Sequence, residues 1–199
     1  MSAAVIIDSG GANIASLRAA LARLGSESVV TTDHGVIERA PRVFLPGVGS
    51  AQDAMSRLRT AGLDKLIPTL KQPLFGICLG MQILFERSEE GPADTLGVIP
   101  GSVDRLHFAP GLPVPHMGWN QLAQSKPDPL LEGVSSLDHV YFVHGYAAPA
   151  GPFTVATTDY GSSFTAVARR DNFCGTQFHP ERSGVVGARI LANFLKAPV

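Results

Sequence analysis

Short apolar runs punctuate the first half of the chain: AAVIID at residues 3–8, SVVTT at 28–32, RVFLP at 42–46 and PLFGI at 73–77. Helix-like stretches separate them, and that alternation predicts parallel strands covered by helices. In the first such stretch Ile14, Leu17, Leu21 and Leu24 recur at helical spacing, with Gly25 where a C-terminal cap belongs. Ser50 and Asp53 have the spacing of a capping box and open a second helix carrying Met55 and Leu58. Beyond Ser88, glycines and prolines break up β-like runs: LPVPHM, HVYFVHGY, FTVATT, FTAVARR and FCGTQF. These are expected to extend the same sheet as antiparallel or mixed strands. A last helix is expected from about Ser183, with Val186, Ile190, Leu191, Phe194 and Leu195 as its apolar face. No linker, repeat or low-complexity stretch interrupts this order. The expectation is one α/β domain over residues 1–199, a single open, mostly parallel or mixed sheet flanked by helices.

Composition narrows the functions this fold could serve. With 45% hydrophobic and 17% charged residues in 199, the chain has the balance of a soluble globular domain. A net charge of -1 leaves no basic excess to neutralise phosphates, which argues against a nucleic-acid partner. No apolar run reaches the roughly 20 residues that span a bilayer, and the N-terminus lacks the basic start of a secretory signal. The expected location is cytoplasmic, with no membrane partner. There Cys78 and Cys174 are expected as free thiols. The histidines and carboxylates show neither zinc-type nor calcium-loop spacing, so no metal or other cofactor is expected.

The sharpest chemical signal is PLFGICLGMQILFE, an apolar strand, then Gly-Ile-Cys-Leu-Gly, then an apolar segment expected to be helical. It reads as a nucleophile elbow with sulfur as the nucleophile. Gly76 and Gly80 would let backbone approach closely on either side of Cys78, and a helix N-terminus there would favour the thiolate. A cysteine packed beneath a helix fits the same run. Gln177-Phe178-His179-Pro180-Glu181 follows a β-like run and precedes the last helix, placing polar groups at the C-terminal edge of the sheet. There His179 could pair with the thiolate and Glu181 could orient its ring. Alone, His-Pro-Glu reads as a surface turn; its combination with the elbow is what favours chemistry. His34, His107, His116, His139 and His144 have no comparable setting and are read as structural or exposed, and Cys174 as a core residue. For a tetrahedral oxyanion, the Leu79 backbone N–H is one candidate donor and the glycine-rich LPGVG loop at 45–49 the source of a second.

Taken together, LPGVG, GICLGMQ at 76–82, SEE at 88–90, PHMGWNQL at 115–122, YFVHGY at 141–146 and QFHPERSG at 177–184 make the chain resemble the class I, or triad, glutamine amidotransferases nearly end to end. PGVG and HMGWN favour the branch serving histidine biosynthesis over those serving pyridoxal phosphate, anthranilate, GMP or carbamoyl phosphate. The resemblance implies that Cys78, His179 and Glu181 form a triad that hydrolyses glutamine to glutamate and ammonia. It implies that Gln82 and Glu90 hold the substrate's amino-acid head group, beside Gly49. It further implies a heterodimer with a separate cyclase subunit, a (β/α)₈ barrel that receives the ammonia, with Asn13, Trp119 and Arg182 facing it. Partner-dependent activation would follow if the Val48 amide must turn toward the oxyanion. The chain departs from common family patterns in its DSGGAN turn and at Gly145. Two other readings are a thiol peptidase or γ-glutamyl hydrolase, which SEE and PHMGWN argue against, and a binding subunit without catalysis.

Overall fold

The computed structural model describes residues 4–9, 13–107 and 111–196. The four early apolar runs form strands β1 (Ala4–Ile7), β2 (Ser28–Thr31), β3 (Val43–Gly47) and β4 (Leu74–Cys78), parallel in the order β2-β1-β3-β4. Helices α1 (Ile14–Arg23), α2 (His34–Arg39), α3 (Ala51–Thr60) and α4 (Leu63–Leu66) connect them. As expected, Leu17 and Leu21 are buried under α1, and Gly25 turns the chain with φ 72° while its N–H reaches the Ala22 carbonyl. Ser50 caps α3: its hydroxyl accepts from the Asp53 N–H and donates to the Asp53 carboxylate. Residue 3 of the first apolar run and residues 10–12 of the DSGGAN turn lie outside the described residues.

The second half builds α5 (Leu79–Gln82), β5 (Arg87–Ser88), β6 (Ala93–Asp94), β7 (Ser102–Arg105), β8 (His116–Gln121), β9 (Ala123–Gln124), β10 (His139–His144), β11 (Tyr146–Ala147), β12 (Thr154–Asp159), β13 (Ser163–Arg170), β14 (Phe173–Thr176) and α6 (Gly184–Lys196). β14 lies parallel to β4, and β13, β12 and β9 continue antiparallel, completing an eight-stranded mixed sheet among the described residues. The expectation that every β-like run extends this sheet is corrected at two places. β10 pairs with β8 in a separate two-stranded sheet, and β11, β7, β5 and β6 form another of four strands. Along β10 burial alternates, with Val140, Phe142 and His144 buried, so it lies over the core with one face outward. The LPVPHM run becomes strand only from His116, because Pro113 and Pro115 have no N–H to give a ladder.

Each face of the large sheet is covered. On one side α1 and α6 close over Phe44 and Phe75, which meet each other and Phe194 of α6 in edge and tilted pairs with ring centroids 5.0–5.9 Å apart. Ile190, Leu191 and Phe194 of the expected apolar face of α6 are buried. On the other side α2 to α5 pack, and α5 approaches so closely that backbone meets backbone. A Cβ at Gly80 would lie 1.7 Å from the Leu45 carbonyl oxygen, and one at Gly76 would lie 2.7 Å from the Gly80 carbonyl oxygen. A Cβ at Gly47 would lie 2.7 Å from Gly80 N and one at Gly175 2.8 Å from Met81 Cβ, so both flanking strands meet the same turn. Four glycines from three neighbouring strands and the elbow thus seat one turn of helix at the C-terminal edge of β4.

This contact predicts an asymmetry between glycines. Gly80→Ala should lower unfolding free energy in urea by at least about 3 kcal/mol, since backbone must move to admit the methyl group. Gly97→Ala, with φ 65° and nothing within 4 Å of the new Cβ, should cost only about 1–2 kcal/mol for its left-handed backbone. Equal losses would contradict the packing described.

Candidate active site

Cys78 ends β4 and begins α5 with φ 53° and ψ -112°, outside the ordinary regions for a side-chain-bearing residue. A conformation of that kind costs on the order of 1–3 kcal/mol and persists where surrounding packing dictates it; the glycine contacts around α5 do so here. The elbow is therefore present as expected, but the helix after it is shorter than expected. After Gln82 the carbonyls of Ile83, Leu84 and Phe85 accept from the N–H groups of Leu96, Ile99 and Gly97, which ends the helix after one turn. A single turn offers the unpaired N–H groups of a helix start but not the dipole of a long helix.

The chain returns to Cys78 through β14. His179 leaves that strand with its N–H on the Tyr141 carbonyl, and Pro180–Arg182 make a single tight turn. Ser183 clamps the turn: its hydroxyl donates to the His179 carbonyl at 2.7 Å and accepts from the Tyr141 N–H at 3.0 Å. The His179 ring has Nδ1 2.8 Å from Glu181 Oε1, an ion pair whose side chains are almost wholly buried. Asn13 joins it, with Nδ2 2.7 Å from the same ring nitrogen and donating to the same carboxylate oxygen. Glu181 Oε2 is buried with no partner among the described residues.

Burial opposes charge on His179, but hydrogen bonding and charge interactions with Cys78 and Glu181 outweigh it and raise its pKa to about 10. Two other buried histidines are shifted the opposite way. Burial lowers His116 to about 4; His144 is lowered to about 3, chiefly by burial, with the Tyr146 carbonyl opposing. His116 Nδ1 lies 3.1 Å from His144 Nε2, and the His116 ring stacks on Tyr160 and Phe142. The signs for stability follow. The raised His179 contributes most below its unfolded value near 6.5, and that contribution is lost as pH climbs through about 10. The lowered pair costs stability as pH falls from about 6.5 toward 4 and 3, because unfolding then takes up protons the fold excludes.

A cavity of about 260 Å³ opens over the sulfur, lined by Gly47, Val48, Gly49, Cys78, Leu79, Gln82, Glu90, His179 and the stretch Val143, His144, Gly145 and Tyr146. It brings together the residues expected for nucleophile, base, oxyanion donors and head-group binding. Gly49 has φ 90° with open space around its Cα. Gln82 is buried, and its amide nitrogen donates to the Tyr146 carbonyl and to Gln177 Oε1, leaving its carbonyl oxygen to meet a ligand. The Glu90 pKa is raised by burial, against an opposing hydrogen bond from the Ala51 N–H. The three residues expected at a partner surface divide. Trp119 is 56% exposed and Arg182 is exposed, standing 4.9 Å over the Tyr141 ring; Asn13 is half-buried against the His179–Glu181 pair.

Gln177, Ser183, Tyr141 and Tyr146 contribute contacts that no role was assigned to from sequence. Gln177 and Ser183 stand within the quoted QFHPERSG motif, and an amide ending the apolar run FCGT was a usable signal, since a buried polar group must find partners. Tyr141 and Tyr146 act here mainly through backbone carbonyls, which side-chain identity does not disclose.

A family model, glutamine amidotransferase class-I, matches residues 5–197. Among curated relatives, imidazole glycerol phosphate synthase subunit HisH of Xanthomonas euvesicatoria pv. vesicatoria is 54% identical over 196 residues, covering 98% of each chain. The HisH subunit of Xylella fastidiosa (strain Temecula1) is 52% identical over the same length and coverage. Among solved structures, a glutamine amidotransferase superposes with TM-score 0.75 at 21% identity, covering 97% of each chain. PurLQS from Thermotoga maritima superposes with TM-score 0.73 at 20% identity, covering 98% of each.

The opposed shifts make a direct spectroscopic prediction. At pH 7, imidazole nitrogen shifts should report His179 as protonated and His116 and His144 as neutral, and Cys78→Ala should lower the His179 pKa. A neutral His179 at pH 7 would contradict the electrostatics of the pair.

Proposed function

The chain belongs to the class-I glutamine amidotransferases and is a glutamine-hydrolysing enzyme of that family; from that premise we propose that Cys78, His179 and Glu181 are its catalytic triad. The observation that carries this reading is that the buried His179, paired with Glu181 through Nδ1, lines the same cavity as Cys78. In the proposed reaction Cys78 Sγ adds to the substrate carboxamide carbon. The oxyanion takes N–H groups of Leu79 and Val48, and His179 gives its proton to the departing nitrogen. Ammonia leaves, and the γ-glutamyl thioester remains on sulfur. Water then attacks, His179 receives its proton, and the carbon–sulfur bond breaks to release glutamate. Glu181 keeps the ring oriented and offsets its positive charge throughout. In this reading Glu90 meets the substrate ammonium and the Gln82 carbonyl oxygen helps to hold the same end, with Gly49 shaping the wall.

The biological role is that of the glutaminase subunit of imidazole glycerol phosphate synthase, the enzyme whose HisH subunits share 52–54% identity with nearly the whole chain. We assign its ammonia to a separate cyclase subunit of (β/α)₈ form. Support comes from the exposed apolar residues Met117 (64%) and Trp119 (56%) on β8, with Arg182 over Tyr141 beside them. That face lies on the strand pair adjoining His179, so a partner bound there would sit over the triad. Asn13, the N-cap of α1, reaches the same His179–Glu181 pair. The whole chain acts as one amidotransferase domain in the cytoplasm, where glutamine and the histidine precursors meet. Rotation of the Val48 peptide in the Gly47–Gly49 loop supplies the means by which the cyclase would raise the glutaminase rate.

Glutamate release from glutamine should rise when the cyclase subunit and its nucleotide ligand are added to the purified chain. Cys78→Ala should lower the stimulated rate by at least about a thousandfold. A rate that survives this substitution removes the triad, and equal rates with and without the cyclase remove the partner-dependent activation.

A further inference from the structure

We propose that Gln177 is a positioning residue for the nucleophile, holding Cys78 Sγ at the end of a hydrogen-bond relay that starts in the glutamine cavity. The inference rests on Cys78 being the nucleophile. Gln177 is wholly buried between β14 and His179, its backbone N–H on the Ala166 carbonyl. Its side-chain Nε2 lies 3.7 Å from Cys78 Sγ and its Oε1 accepts from Gln82 Nε2 at 3.0 Å.

The direction of this relay is determined by its backbone end. A carbonyl oxygen only accepts, so the Tyr146 carbonyl orients Gln82 with its amide nitrogen toward it, at 2.8 Å. Gln82 has a second N–H to give, and it goes to Gln177 Oε1. Turning the Gln177 amide over would set two N–H groups against each other and place an oxygen lone pair against sulfur. Its Nε2 must therefore donate toward Sγ. The same carbonyl also orders the histidine pair: His144 Nδ1 donates to Tyr146 O at 2.9 Å, so His144 Nε2 is left to accept from His116 Nδ1. One backbone oxygen thereby polarises two chains, and one of them ends on the reacting sulfur.

A side chain needed only to fill this space could be a leucine, which would bury no polar atoms. The amide instead gives the sulfur a donor fixed in place, while the Val143 carbonyl lies 3.8 Å away on the same atom. An N–H bond to sulfur is weak for a neutral thiol or thioester and stronger when charge is on the atom. Gln177 therefore acts at the steps in which sulfur carries charge: holding Sγ toward the substrate before attack, and receiving the charge that returns to sulfur as the thioester carbon–sulfur bond breaks. Because Gln82 lines the cavity, a bound glutamine that engages its carbonyl oxygen tightens the chain leading to sulfur.

Two variants separate this role from packing. Gln177→Leu removes donor and acceptor at similar volume. Gln177→Glu keeps an acceptor for Gln82 but presents a carboxylate oxygen to sulfur. Both should lower kcat of the cyclase-stimulated glutaminase roughly 10- to 100-fold, and Gln177→Glu, which still accepts from Gln82, should leave KM for glutamine within about twofold of wild type. Both should slow iodoacetamide alkylation of Cys78 in the chain alone by about tenfold or more, read by peptide mass mapping. If Gln177→Glu keeps wild-type kcat and alkylation, Gln177 serves only to anchor Gln82 and the proposal fails. A raised KM with unchanged kcat overturns it equally. Should either variant unfold, the wild-type chain decides: the Gln177 Nε2 proton resonances should shift on Cys78→Ala, and their failure to move contradicts the contact. Loss of glutaminase in Cys78→Ala beside wild-type behaviour of both Gln177 variants would sink the relay and leave the triad standing. Glutaminase that survives in Cys78→Ala would sink the triad and with it the nucleophile that Gln177 is proposed to position.

Discussion

The contact between one turn of helix and the backbone of three strands is the constraint on which the site depends. Ordinary helices stand off a sheet by the thickness of their side chains. α5 does not, because Gly47, Gly76, Gly80 and Gly175 leave no side chain between them. That approach holds Cys78 in a backbone conformation it would not adopt alone, and it brings the sulfur, the Leu79 N–H and the Gly47–Gly49 loop to one cavity. The folding energy of the large sheet is thus spent in part on one strained residue, a common arrangement where a nucleophile must project.

Electrostatics then divides the buried histidines by their neighbours. His179 is as hidden as His116 and His144, yet it is driven toward the cation and they toward the neutral form. Glu181 and Cys78 stand beside the first; aromatic rings and a backbone carbonyl surround the others. The half-buried Asn13 donates to the Glu181 carboxylate, whose Oε2 has no partner among the described residues, and the exposed Arg182 follows Glu181 directly in the chain. The strand pair that carries Trp119 is joined to His179 by the bond from the His179 N–H to the Tyr141 carbonyl. This gives the proposed docking face a short physical route to catalysis.

Much of this was legible in the chain because it depends on local pattern. Apolar runs separated by amphipathic stretches mark β1 to β4 and α1, and a cysteine between two glycines after such a run marks the elbow. Cys78, His179 and Glu181 could be named because each stands in a short motif. What pattern does not carry is the identity of a distant partner. The runs that became β8 and β10 looked like further strands of one sheet, since alternation says which face is buried and not what it is buried against. α5 looked longer because the groups that end it, the N–H groups of Leu96, Gly97 and Ile99, come from a later loop. Gln177 was visible as a letter in a motif, but its meaning depends on Gln82, 95 residues earlier in the chain, and on Cys78.

The central claim is that sulfur at this elbow takes the acyl group of glutamine. The most direct test is to quench the cyclase-stimulated chain with acid during turnover of isotopically labelled glutamine and map the bound label by peptide mass spectrometry. The account predicts a γ-glutamyl group on the peptide containing Cys78, sensitive to hydroxylamine as a thioester is, and none on Cys174. Turnover with no label on Cys78, or with label at another residue, would contradict it.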